Sequence, residues 1–125
     1  MSKEEEIRRT IAQYAHFCDD GRFEEWGELY TDDATFSVMG QTYKGRDAIQ
    51  GFITKAQPPE QRGKHICFNT VIDTEGDEAY GVTDYIFING DKVITSAGRY
   101  HDRFVHNRGG WRFAERRIVF MGDEA

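Results

Sequence analysis

Between residues 3 and 19 the apolar positions Ile7, Ile11, Tyr14, Ala15 and Cys18 recur at spacings of three and four. That is the period of a helix with one buried face. Ser2, with Glu5 three residues on, has the form of a capping box, and Gly21 offers a left-handed stop. The next segment, "RFEEWGELYTDDA", puts Phe23, Trp26, Leu29 and Tyr30 on one helical face. Gly27 weakens that helix by about 1 kcal/mol relative to Ala, so it is expected to be short and to end before Asp32. "ATFSVMG" alternates like a strand, "GRDAIQGFITKA" returns to helical spacing through Ile49, Phe52 and Ile53, and the paired prolines of "QPPEQRGK" predict a loop.

From Lys64 onward the period changes from 3.6 to 2. Alternating runs at 64–74, 77–88, 92–106 and 111–121 are separated by the turn signals "EGD", "NGD" and "NRGG". Asn89-Gly90 is the strongest short hairpin signal among them. Helices followed by an antiparallel meander predict an α+β fold: three N-terminal helices packed on one face of a curved, mainly antiparallel sheet, wrapped as a cone with an open mouth. A chain of 125 residues is the size of one domain, and 1–125 is read as a single unit.

Composition narrows the function. Asp and Glu number 22 against 16 Lys and Arg, a net charge of −6, where a nucleic-acid surface needs clustered base. The opening "MSKEEEIRR" lacks an apolar leader core, and no run approaches the ~20 apolar residues of a membrane span, so cytoplasmic residence is expected. Cys18 and Cys67 make no disulfide framework. His16, His65, His101 and His106 show no ligand spacing beyond a weak His101, Asp102, His106 group, so neither metal nor cofactor is expected.

Chemistry concentrates in two places. Asp19 and Asp20 close the first helix, and His65 opens the first long strand. A carboxylate against His65 would fix its tautomer and stabilise its charged form, as a general base requires, with Asp20 the alternative partner one residue on. The plain alternative is that both aspartates are solvated and His65 is merely hydrogen-bonded. Odd positions of the strand hold His65, Cys67, Asn69 and Val71, so His65 and Asn69 should share the face toward the helices. Even positions, with Ile66, Phe68 and Ile72 and the later Ile86 and Ile88, would form an apolar outer face, which predicts a homodimer or homotrimer. Trp26, Phe36, Phe52, Tyr85 and Phe87 read as core that doubles as pocket wall. Arg116 reads either as an exposed charge paired with Glu115 or Asp84, or as a ligand-binding group.

The segments "IAQYAHFCDDGRFEEWGELYTDDATF", "YKGRDAI", "KHICFNTVI", "GRYHDRF" and "GGWRFAERRI" resemble the SnoaL-like branch of the nuclear transport factor 2-like superfamily over nearly the whole chain. The resemblance implies a cone-shaped α+β barrel, oligomeric through the outer face of its sheet, with a pocket between sheet and helices. Scytalone dehydratase and hexachlorocyclohexane dehydrochlorinase use an aspartate ending the first helix and a histidine opening the first long strand, positions matched by Asp19 and His65. The dehydrochlorinase's arginine after a Trp-basic-Phe sequence is matched by Arg116. Its lysine is replaced by Tyr14, which argues against halide elimination, and the base of ketosteroid isomerase would fall at Val38, which cannot take a proton. The resulting expectation is a cofactor-independent lyase or isomerase of dehydratase type acting on a small hydrophobic cyclic or aromatic molecule. Asp19 and His65 would be catalytic, and Tyr14, Trp26, Phe36, Asn69, Tyr85 and Arg116 would line the site. The rival expectation is a non-catalytic binding or scaffold protein of the same fold.

Overall fold

The computed structural model describes residues 1–123. Helix α1 runs Lys3–Asp19 with the Ser2 side chain accepting from the Glu5 amide, and Gly21, at φ +73°, turns the chain away. Helix α2 is Phe23–Gly27, strand β1 Tyr30–Val38, strand β2 Gln41–Lys44 and helix α3 Arg46–Ala56. The meander follows as β3 Lys64–Glu75, β4 Glu78–Ile88, β5 Ile94–Asn107 and β6 Gly110–Phe120. The architecture is α+β, three helices on a six-stranded sheet of order β2-β1-β6-β5-β4-β3. The sheet is not closed, so β2 and β3 are free edges.

Two features of the first half differ from the pattern reading. Tyr30 opens β1 instead of continuing α2, which stops at Gly27. In addition β1 pairs in parallel with β6, bringing Phe36 opposite Arg116, so the sheet is mixed. Alternation along one strand carries no information about which distant strand lies beside it. The loop after β4 also departs from a two-residue turn: the Asn89 side chain accepts from the amides of Asp91 and Val93, and β5 starts only at Ile94. Tight turns of two positive-φ residues are instead Met39-Gly40, between β1 and β2, and Arg108-Gly109, between β5 and β6.

Two bulges decide which side chains face the helices. In β3 the register against β4 slips between Phe68 and Val71, and Asn69 adopts φ +53°. Alternation therefore inverts: His65 and Cys67 lie on the helix-facing side before the bulge, Thr70 and Ile72 after it. In β6 the register against β5 slips where Arg103 and Phe104 face Glu115 and Phe113, leaving Ala114 over. Trp111 and Phe113 point inward before that step and Arg116 after it. Without the extra residue Arg116 would face solvent.

Helix α1 also closes the free edge of β3. Lys3 Nζ donates to the Gly76 carbonyl, Arg8 Nη2 to the Thr70 carbonyl, and the amide of His65 donates to Asp19 Oδ2. These contacts satisfy backbone groups that β4 does not use, and they blunt an edge that would otherwise invite pairing.

Candidate active site

The carboxylate of Asp19 holds His65 twice. Oδ2 accepts the backbone N–H of His65 at 2.9 Å, and Oδ1 lies 2.6 Å from the ring Nδ1. Both side chains are nearly buried, 7% exposed for Asp19 and 11% for His65. With Nδ1 committed to the carboxylate, Nε2 is the ring nitrogen free to exchange a proton. The ring packs 4.7 Å from that of Phe87 and edge-on to Tyr14 at 6.3 Å. Asp20, by contrast, is exposed beyond the helix end. His65 also walls a cleft of about 390 Å³ between α1 and the edge of β3, together with Arg8, Ala12, His16, Cys67 and Thr70.

The Cys18 thiol, the Asp19 carboxylate and the His65 imidazole bring their ligating atoms within 4.8 Å of one another. Asp19 and His65 use those atoms on each other, and burial pushes the Cys18 thiol up to about 12, far from the thiolate a metal needs.

Arg116 is neither exposed nor paired with Glu115 or Asp84. Its side chain is wholly buried, donating from Nε to Asp102 Oδ1 at 2.7 Å and from Nη2 to Oδ2 at 2.8 Å. The two residues are cross-strand neighbours on β5 and β6. The guanidinium carbon lies 3.7 Å from the ring centre of Tyr100, 4.3 Å from Tyr14 and 4.4 Å from Phe113. Burial raises the Asp102 carboxyl above its ordinary range against the pull of Arg116. The bidentate geometry is that of a carboxylate facing a guanidinium.

The other expected site residues divide. Tyr14, Trp26 and Phe36 are buried in one aromatic cluster with Tyr30, Tyr100 and Phe113, and that cluster fills the space between helices and sheet. Tyr85 stacks on Tyr100 at 4.6 Å with its hydroxyl 3.0 Å from that of Ser96. Asn69 does not join the site. Its bulge turns it to the outer surface, where Nδ2 donates to Asp84, itself bound by Arg99. Asp102 escaped the sequence reading as the partner of Arg116, while Tyr30, read on the apolar face of the second helix, is buried instead as the first residue of β1. The strand alternation of Tyr100, Asp102 and Phe104 was the available signal for the first.

An α+β sheet with helices over one face and an Asp–His pair at its rim places the molecule in the nuclear transport factor 2-like, cystatin-like class of folds. The chain belongs to the SnoaL-like domain family, whose model matches residues 1–117. A nuclear transport factor 2-like protein of known structure from Novosphingobium aromaticivorans is 28% identical, with a TM-score of 0.82 over 98% of this chain and 84% of its own. A candidate scytalone dehydratase from the same organism is 23% identical, with a TM-score of 0.84 over 94% of this chain and 83% of its own. The small subunit of anthranilate 1,2-dioxygenase from Burkholderia cepacia is 21% identical, covering 92% of this chain and 84% of its own length. The chain is thus similar to a protein of dehydratase type in fold and to a dioxygenase small subunit in sequence.

Proposed function

We propose that the protein is a cofactor-independent lyase or isomerase of dehydratase type, acting on a small hydrophobic cyclic or aromatic oxygenated molecule. The observation that carries this is the double grip of Asp19 on His65. It fixes both the ring's position and its tautomer, and its negative charge favours the imidazolium that forms when Nε2 takes a proton. In an elimination, Nε2 removes a proton from carbon. The C–H electron pair becomes a double bond as the neighbouring C–O bond breaks, and the imidazolium returns its proton to the departing hydroxide as water. In an isomerisation the same proton goes back to a different carbon.

The test is hydrogen exchange from D2O into a panel of hydroxylated and ketonic ring compounds, read by mass spectrometry together with loss of water. Wild type should exchange or dehydrate a member of the panel, His65→Gln should abolish this, and Asp19→Asn should slow it with binding little changed. Exchange surviving in His65→Gln would make His65 structural.

A second reading is supported by the filled interior, where Trp26, Tyr30, Phe36, Tyr100 and Phe113 are each 1% exposed or less. On it the protein is a non-catalytic subunit or scaffold, as the dioxygenase small subunit is by its name a component of a larger enzyme. Asp19 then serves only to seal the edge of β3. Lack of any exchange by wild type, together with a melting temperature unchanged across the whole panel, would favour this reading.

A further inference from the structure

The stripe of α1 that runs along the edge of β3 is made of small and basic residues. Arg8, Ala12 and His16 recur at every fourth position of one helical face, and the methyl side chains of Ala12 and Ala15 leave room against Ile66 and Cys67 of the strand. The space so left is the cleft of about 390 Å³ that His65 walls. Both of its ends are tied: Arg8 Nη2 donates to the Thr70 carbonyl at 3.0 Å, and Asp19 grips the amide and the ring of His65. Along the helix axis Arg8 and Asp19 stand about 16 Å apart. In a chain of net charge −6, this cleft is lined by one arginine and two histidines and by no carboxylate. Arg8 uses Nη2 for both Thr70 and the half-exposed Glu4, 3.3 Å away, so among the described residues its Nε and Nη1 meet no acceptor. An exposed ion pair of this kind is worth little, and an incoming anion can displace it.

Resting on the reading of His65 as a base, we propose that the substrate is an elongated carboxylate lying along the cleft between α1 and β3, its anionic end on Arg8 and its apolar body over Ala12 and Ile66 toward His65. Three features select this class. The unsatisfied donors of a guanidinium call for an anion, and a carboxylate takes two of them side by side. The floor of the cleft is aliphatic, which suits an apolar body. The charge of Asp19 fixes the direction: a carboxylate at the His65 end would meet that of Asp19, whereas the Arg8 end lies more than a Debye length away at physiological ionic strength. The same cleft gives His65 an approach from outside the aromatic cluster, whose side chains fill the interior.

4-Phenylbutyrate, 4-phenylbutanol and 4-phenylbutylamine share one body and differ in the end group, so calorimetric titration of the whole protein with each is the test. The butyrate should bind at least about tenfold more tightly than the alcohol or the amine. Arg8→Gln should weaken the butyrate about tenfold and leave the alcohol unchanged. Glu4→Gln removes the competing carboxylate, keeps the tie to Thr70, and should tighten the butyrate about twofold. Ala12→Trp, at an exposed position, fills the cleft and should abolish binding of all three compounds. His65→Gln should leave the binding order intact. No measurable binding of the butyrate overturns the proposal, as does equal or tighter binding of the amine, an unaltered butyrate affinity in Arg8→Gln, or binding that survives Ala12→Trp. None of these outcomes touches His65 as a base, because that reading stands or falls with hydrogen exchange in His65→Gln.

Discussion

Asp19 is read here as catalytic, yet it also supplies an acceptor to an edge-strand amide, and these roles separate on substitution. Asp19→Asn keeps one acceptor oxygen and should melt close to wild type, whereas Asp19→Ala leaves the His65 amide unpaired and should lose about 1–3 kcal/mol by urea denaturation. Equal stability of the two variants would dissociate the clasp from the fold. Tyr14, Tyr30 and Tyr100 make a second prediction, because burial raises all three phenols above the ordinary 10.0. The stability they lend is fully present below pH 10 and is lost as pH rises toward their folded values, since the unfolded chain releases those protons first. An alkaline titration followed by tyrosinate absorbance should therefore show a cooperative step coincident with loss of circular dichroism. Gradual ionisation of these phenols within an intact fold would contradict it. The contact between Asp19 and His65 was legible from chain position and family resemblance. The burial of Arg116 was not, because one additional residue in its strand reverses the face.

That reversal makes the bulges the decisive elements. Asn69 holds φ +53°, a conformation that costs a β-branched residue about 1–2 kcal/mol, so Asn69→Val should be destabilised by that much more than Asn69→Gly. Both variants lose the hydrogen bond to Asp84, so their difference isolates the backbone, and equal melting temperatures would refute the argument. The element pair β5 and β6 carries the buried ion pair. Asp102→Leu leaves the guanidinium uncompensated and should cost about 3–5 kcal/mol, while Asp102→Leu with Arg116→Met should recover most of it. A double variant no more stable than the single one would show that the pair contributes more than mutual compensation. The four long alternating runs were legible to within two residues at each end because each strand has one wet face. The β2 edge strand was missed because its four residues, Gln41–Lys44, are too few and too exposed for a period to show.

At the scale of the whole molecule, the outer face of the sheet keeps Ile66 at 41% exposure, Phe68 at 40%, Val71 at 62% and Tyr80 at 51%. Ile72, expected on that face, lies inward beyond the Asn69 bulge. Apolar area of this kind is uncommon on a solitary chain, and a homodimer or homotrimer remains our expectation. Light scattering at micromolar concentration checks it, and a mass of 14.5 kDa would refute it. The parallel union of β1 with β6 bears on how the chain reaches this state. On its β6 side Tyr30 pairs with Phe113 and Phe36 with Arg116, so a strand made early waits there for the last one to be synthesised. Such distant closure is slow. On the ribosome, α1 and the β1–β2 hairpin therefore emerge with apolar sides that stay uncovered until the final strand arrives.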